Sequence, residues 1–436
     1  MSTSAVPAVR NPWLWVPSSY FAEGIPFALV IWVTGTMFKD LGHTDGQITL
    51  ATASVGIAWS LKPFWAAFLD MYRTKKFFVI AMELLMAGLL IGIALALPLP
   101  NYFQVVIAVL WVLAFASATQ DICVDGVYIT TLSAAKQAAF IGVQGVFWNV
   151  GRIFATAAIV WVAGSLQADR GLSATSAWGW AIGLSAATLA ALALYHRFML
   201  PTGSITVRPH SFGEVTRTFI DTWVDFFKKE KLFGMLLFVF LYRTGEGLLL
   251  VEGPLFLQAA PDDGGVGLSL KAKGLIDGTI STFVSLFGGL AGGAFMARYG
   301  LKRSTLVFMA LCLNVPHITF VVLSQMAGPG VDLSLWTVGS LVTIEKFGYS
   351  FGFVANMLYM MQQISPGKYH MTHYAYCTAL MNLVLVPTQM ISGPLADHFG
   401  YRMFFIIVMF ASIPSILAAW FAPFPRKING DGSPAT

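Results

Sequence analysis

Two carboxylates, Asp121 and Asp125, stand four residues apart inside the apolar run WVLAFASATQDICVDGVYITTL, residues 111–132. On a helix that spacing puts both on one face. Ser117 lies a turn before the pair, and Tyr128 follows Asp125 by three residues. A charge at bilayer depth costs roughly 3 kcal/mol or more unless it faces protein or water, so such a pair marks a functional site by default. Acids placed this way can load and release protons. The alternative is a structural pair that ties two helices together through a neighbouring cation.

Ten further ionisable residues sit inside apolar stretches, away from their ends: Glu23, Lys62, Glu83, Arg152, Arg243, Glu246, Glu252, Asp277, Glu345 and Lys346. Polar stripes at helical spacing accompany them. Gln144, Trp148 and Arg152 step by four with Asn149 beside them, and Arg243 and Glu246 lie three apart, placed to neutralise each other. Glu345, Tyr349, Gly352, Asn356 and Tyr359 share a face, as do Thr378, Asn382 and Gln389. Amides, phenols and guanidinium groups converging in this way suit a ligand that carries carboxylates, amides and hydroxyls. For any single Asn or Thr, hydrogen bonding between helices is the competing explanation. Arg152 and Arg243 are expected to hold anionic groups of the ligand. Gln144, Trp148, Asn149, Glu246, Glu345, Tyr349, Asn356 and Asn382 complete the expected binding set.

The elements that must position these groups are membrane spans. Hydrophobic residues make up 57% of the chain and charged residues 11%, where a soluble domain carries roughly 25% charged. Mean hydropathy is +0.71. Runs long enough to cross a bilayer fall at 13–38, 46–71, 76–97, 101–130, 136–166, 174–200, 231–258, 272–298, 303–326, 332–364, 369–397 and 401–422, numbered here as spans 1 to 12. With both termini in the cytosol, the tails and even-numbered loops hold 17 Lys or Arg and the odd-numbered loops hold five, a positive-inside bias that fixes the expected orientation.

Residues 201–230 form the longest connection and separate a six-span bundle at 1–200 from a second at 231–436, which ends in a short tail. Within the connection, Phe212, Val215, Phe219 and Phe226 make one stripe, and Ser211 with Glu214 reads as a capping box. An amphipathic helix at the membrane surface is expected there, with a solvated linker helix as the alternative. The halves echo each other: AFLDMYRTKK closes span 2 and AFMARYGLKR closes span 8, while YFAEG in span 1 answers YRTGEG in span 7. Two six-span repeats about an axis normal to the membrane are the architecture of major facilitator transporters, with the substrate site between the halves at the midplane. In that fold spans 3, 6, 9 and 12 face lipid, and only Glu83 among the buried ionisable residues falls on one of them.

Depth along the helices, at ~1.5 Å per residue, sets Lys62 level with Asp121 and predicts an ion pair. Asp125, one turn nearer the cytosol, has no depth-matched cation. Asp125 or Glu23 is therefore the expected proton carrier, with Asp121 as the third coupling acid. Lys62, Lys346, Asp70 and Arg73 are expected ion-pair or gate residues, and the basic clusters Arg73-Lys75-Lys76 and Lys302-Arg303 are topology anchors first. Gly288, Gly289, Gly292 and Gly293 form small-residue pairs for close helix packing, and Pro26, Pro63, Pro254 and Pro387 are expected to bend their helices.

Several classes are excluded by what the sequence lacks. The +5 net charge belongs to the basic loops rather than to a nucleic-acid surface, and Cys123, Cys312 and Cys377 all lie in apolar segments, so no disulfide framework is implied. No cleaved leader is expected. No Walker motif is present for ATP. His370 and His373 lack an acid or Cys at ligand spacing, so neither a metal nor a cofactor is expected. Every histidine except His317 falls at a loop or span end, which leaves no nucleophile–base pair at depth for an enzyme.

The segment ASATQDICVDGVYITTL resembles the fourth span of AmpG-type muropeptide permeases and the related acetyl-CoA transporters, a branch of the major facilitator superfamily. YFAEGIPFAL, LKPFWAAFLDMY, VFWNVGRI, LYRTGEG, IEKFGYSFGFVANMLYMM and SGPLADHFGY look alike in the same order, so the resemblance spans nearly the whole chain. It implies an all-α fold of twelve transmembrane helices and proton-driven import of a muropeptide of the GlcNAc-anhydroMurNAc-peptide type across a bacterial inner membrane. A monomer working with protons, a small-molecule substrate and the lipid bilayer is expected. The family's paired carboxylates would map onto Asp121 and Asp125, its span 5 Arg onto Arg152, its span 7 cation and acid onto Arg243 and Glu246, and its span 10 Glu onto Glu345. Gly126-Val127-Tyr128 departs from the family's usual Ala-Trp/Tyr and cation, Lys346 follows the span 10 Glu, and no extra C-terminal spans follow. Siderophore importers share these motifs, so a siderophore or an acyl-CoA-like anion is the alternative cargo.

Overall fold

The computed structural model describes residues 10–62, 64, 65, 69, 74–203, 212–367 and 369–425, and every regular element among them is helical. Nine helical segments among the described residues are long and apolar enough to cross a bilayer, from Pro12–Asp40 to Thr372–Phe421. The last of these holds two expected spans: Gly400 (φ 72°, ψ 159°) sits in a region open to glycine and turns the chain between spans 11 and 12. Span 10 is the helix Leu335–Tyr359, and span 2 runs through Asp45–Thr52, Ala53–Gly56 and Ile57–Ser60 before it leaves the continuously described residues.

Helix starts follow the local chemistry. Thr44 and Gln47 cap Asp45–Thr52 reciprocally, side chain to backbone at 3.3 and 3.2 Å. Ser173 and Ser334 cap Ala174–Met199 and Leu335–Tyr359. Breaks do not follow proline alone. Helix Thr244–Gln258 runs through Pro254, and span 7 is interrupted instead at Arg243 (φ −113°, ψ 18°). The glycines that follow explain this: Gly245 lies against Ser412 and Gly247 against Thr388, an approach that a Cβ would block. Pro63 lies outside the described residues.

Glycine also sets the crossings within each half. Spans 1 and 5 touch backbone to backbone, so that a Cβ on Gly24 would overlap the Trp148 carbonyl and one on Gly151 the Phe21 carbonyl. In span 8 the expected glycine pairs divide. A Cβ on Gly288 would sit 2.7 Å from the Phe347 carbonyl of span 10 and one on Gly292 would overlap that of Phe351, whereas Gly289 and Gly293 meet nothing within 4 Å. Large apolar side chains such as Leu84, Leu95, Trp180, Phe233 and Phe410 point outward, as a lipid-facing surface requires.

The two halves meet on the face that carries the odd-numbered connections. There Gly46 N–H donates to Asp397 Oδ2 at 2.8 Å, Gln258 Nε2 to the Thr36 carbonyl at 3.0 Å, and Lys271 Nζ to Asp169 at 2.8 Å. Tyr401 of span 12 donates to Asp45 of span 2. Spans 5 and 8 join through wide helical turns at Phe154–Ile159 and Gly274–Ile280, where a Cβ on Gly278 would be 2.6 Å from the Thr156 carbonyl.

Glu83, expected on a lipid-facing span, is turned fully inward. It accepts from Gln120 Nε2 at 2.9 Å and meets His196 Nδ1 at 2.8 Å, while His196 Nε2 lies 3.0 Å from Ser18 Oγ. A carboxylate facing hydrocarbon would be unpaired, and these partners remove that cost. The connecting helix Phe212–Phe227 packs on both halves rather than on the bilayer alone: Trp223 stacks on Tyr376 of span 11 at 4.3 Å, and Phe219 contacts Phe64 of span 2 at 5.9 Å. Ser211 and the Glu214 side chain, the expected capping box, lie outside the described residues.

Candidate functional site

Spans 1, 2, 4 and 5 bring six polar side chains together below the centre of the N-terminal half. Lys62 pairs with Asp121, as the depth match predicts. Glu23, Asp121 and Asp125 each offer a carboxylate oxygen within 4.8 Å of the others. Asp125 is not isolated: it accepts the Tyr20 hydroxyl at 2.7 Å, and Gln144 Nε2 donates to that hydroxyl at 2.7 Å. Lys62 also acts electrostatically on Glu23 and Asp125. Three acids held around one ammonium repel one another unless protons or a further cation offset the excess charge. Such a cluster can therefore bind and release protons. Asp125 is exposed toward the even-numbered loops, whereas Glu23 is buried.

Span periodicity carries these groups to one place. Glu23 follows Tyr20 by three residues on helix Val16–Ala28, and Asp121 and Asp125 face it from the unbroken helix Tyr102–Thr131. The Gly24–Gly151 contact draws span 5 close enough for Gln144 to reach across. Tyr20 was legible only as part of a repeated string; its spacing from Glu23 was the signal that could have singled it out.

A cavity of about 550 Å³ lies between the halves, lined by Trp148, Asn149 and Arg152 from one and by Arg243, Tyr349 and Asn382 from the other. Trp32, Trp59 and Phe27 also face it, an aromatic wall that the polar stripes gave no reason to expect. Toward the even-numbered loops a chamber of about 270 Å³ continues from it, sharing Phe27, Trp59, Trp148 and Asn382 and bordered by Glu23, Lys62 and Asp121. Arg152 reaches across the midline to donate to Thr282 Oγ1 at 2.8 Å, with its guanidinium 5.2 Å from the centre of the Trp32 ring. Arg243 donates through Nε to Glu246 at 2.7 Å, and its guanidinium lies 4.7 Å from the centre of the Phe353 ring. Lys346 pairs with its neighbour Glu345 at 3.2 Å, and a small chamber holds Lys346 with Asp277, Arg152 and Tyr349.

Not every expected residue arrives at the cavity. Asn356 is buried in the C-terminal core, where its amide meets Met381 Sδ at 3.4 Å. It shares the Tyr349 face of span 10, but Met381 of span 11, which itself lines the cavity, covers it. Gln144 belongs to the acidic cluster rather than to the cavity wall, and Glu246 sits behind Arg243. Asp70 and Arg73 lie outside the described residues.

Comparison with known proteins follows the same lines. The profile of the Major Facilitator Superfamily matches residues 18–372. The anhydromuropeptide permease of Escherichia coli (strain K12) is 24% identical over 403 residues, covering 91% of this chain and 77% of its own. A bacterial homolog of the human lysosomal transporter Spinster, solved inward-facing and unoccupied, superposes with a TM-score of 0.72 at 13% identity, covering 95% of this chain and 98% of that one. A D-xylose-proton symporter superposes with a TM-score of 0.66 at 13% identity, covering 94% and 97%. At these identities the solved structures speak for the fold alone.

Proposed function

The chain belongs to the Major Facilitator Superfamily, and from that membership we propose that it is a proton-coupled secondary transporter importing an amphiphilic organic anion, of the muropeptide class, across a bacterial inner membrane. The carrying observation is that Arg152 and Arg243, one from each half, face a single cavity whose continuation is bordered by the Glu23–Lys62–Asp121 cluster. An anionic, sugar-bearing peptide suits such a wall: guanidinium groups take its carboxylates, and the Trp32, Trp59 and Trp148 rings offer flat apolar surfaces to its sugars. The name of the Escherichia coli relative supports this substrate class.

With twelve spans and both termini in the cytosol, the joined odd-loop face is periplasmic and the arrangement is inward-facing. Arg152 is then the link between cargo and gate. A ligand carboxylate that takes the guanidinium competes with Thr282, and that hydrogen bond joins span 5 to span 8 across the midline. Occupancy thereby loosens the closed seam on one side while bridging the two halves at the centre. Proton binding at Asp125 or Glu23 lowers the charge of the cluster and lets the cleft close around it.

Reconstitution into liposomes tests the proposal. Uptake of a labelled GlcNAc-anhydroMurNAc-peptide is expected to follow an imposed pH gradient and to collapse when a protonophore removes it. Thermal stabilisation of the purified protein by a siderophore or an acyl-CoA, but not by the disaccharide-peptide, would replace the cargo. Uptake indifferent to the gradient would remove proton coupling.

A further inference from the structure

Glu252 of span 7 is fully buried, and among the described residues neither carboxylate oxygen has a hydrogen-bond partner. It faces the Asp45 carboxyl of span 2 within the seam that joins the halves on the odd-loop face. Asp45 has its donors already: Lys39 Nζ of span 1 reaches Oδ1 at 2.6 Å, and the Tyr401 hydroxyl of span 12 reaches Oδ2. Asp397 of span 11 accepts from Gly46 N–H at 2.8 Å, and Lys273 of span 8 is bound to Gln258 Oε1 at 2.8 Å. The charged and titratable groups that act on Glu252 are thus Lys39, Asp45, Asp397 and Tyr401, with Lys273 in the same seam beside Asp45, and the cation among the first four, Lys39, is committed to Asp45.

An ionised Glu252 would press a second full charge against Asp45 in a space that gives it no donor. A protonated Glu252 removes that repulsion and supplies the missing hydrogen bond, from its hydroxyl to an Asp45 oxygen. A metal ion fits poorly, because several oxygen ligands would have to be assembled around a spot where the Lys39 ammonium already occupies Asp45. Above the seam lies a basin of about 1070 Å³ on the odd-loop face, bordered by Lys39, Asp45, Asp397 and Tyr401.

We infer that Glu252 is a proton-binding site built into the odd-loop seam, which closes with the proton on Glu252 and opens as that proton passes to water in the basin. The inference rests on the alternating exposure of the two faces proposed above, and it is separate from the acids at Asp121 and Asp125. Loading and unloading occur on the same side, so this proton makes gate closure depend on external pH and adds nothing to the transported charge.

Distance measurement between nitroxides at Arg170→Cys and Asp262→Cys, in a background with the native cysteines replaced, tests it in lipid nanodiscs. These positions are exposed on opposite halves of the odd-loop face. Between about pH 5 and about pH 9 the parental protein is expected to shift from short to long distances, and Glu252→Gln to keep the short distance throughout. Glu252→Asp, which retains a titrating group, is expected to move the midpoint, and it serves if the Gln variant does not fold. A Gln variant that follows the parental curve, an Asp variant with an unmoved midpoint, or closure driven by sodium at constant pH would overturn the inference. Asp125→Asn separates the two readings: pH-insensitive distances there, with sensitivity kept in Glu252→Gln, would overturn the latch and leave proton-driven uptake standing. A normal response of the seam in a protein without gradient-driven uptake would support the latch and overturn the transport coupling.

Discussion

The Tyr20 hydroxyl donates to Asp125 at 2.7 Å, joining spans 1 and 4 at the acid that lies most open to the even-loop face. The exposed acid thereby shares a cluster with the buried Glu23, which follows Tyr20 by three residues on the same helix. Under the proton coupling proposed above, Asp125 is the exit for a proton held at Glu23.

Replacement of Asp125 by Asn is accordingly expected to uncouple uptake from the proton gradient. At a gradient of about one pH unit, each coupled proton supports about tenfold accumulation. The variant should fall to the equilibrium level while exchange of labelled for unlabelled substrate continues. Gradient-driven accumulation at the parental level would dismiss Asp125 as a carrier.

Arg152→Ala removes the guanidinium that spans the midline. Loss of one charge-assisted hydrogen bond, roughly 1.5–3 kcal/mol, should weaken binding of an anionic ligand by about tenfold or more with little effect on expression. Titration calorimetry on the purified protein measures it. Equal affinity in the variant would take Arg152 out of the site.

Glu83→Ala leaves Gln120 and His196 without their shared acceptor in a fully buried place. A cost of roughly 3 kcal/mol or more is expected, read as a lowered thermal unfolding midpoint in detergent. Glu83→Gln, which keeps an acceptor, should lose less. If the Ala variant melts with the parental protein, the cluster contributes nothing to holding spans 3, 4 and 6 together.

Gly151→Leu pushes a side chain into the Phe21 carbonyl. Overpacking of this kind costs roughly 1–3 kcal/mol, and here it also pries span 5 from span 1, so that Gln144 loses Tyr20. Reduced thermal stability together with impaired gradient-driven uptake is expected. Parental behaviour in both measurements would show that the crossing tolerates side chains.

Much of the pathway was legible because charge is conspicuous in hydrocarbon-length helices. Depth counting placed Lys62 beside Asp121 from their distances to the span ends alone. Periodicity brought Trp148, Asn149, Arg152 and Tyr349 to one cavity. It failed for Asn356, since a stripe shows which residues share a helix face and not which neighbour covers it. Nothing local in the sequence joins Glu83 to His196, 113 positions away. Depth matching compares acids with cations only, so it misses the partner of Asp125, a phenol on another span. Glu252 stood among the buried charges, yet its environment depends on five elements that only the fold assembles.

The connecting helix has one last implication. Trp223 lies on Tyr376 and Phe219 on Phe64, so a single amphipathic rod grips each bundle on the side where the cleft is wide. Rocking of the bundles toward one another there must slide those rings or peel the rod away. Under the alternating exposure proposed above, the connector is a yoke: it limits how far the bundles can part, and its aromatic grip weighs on the balance between the two resting positions.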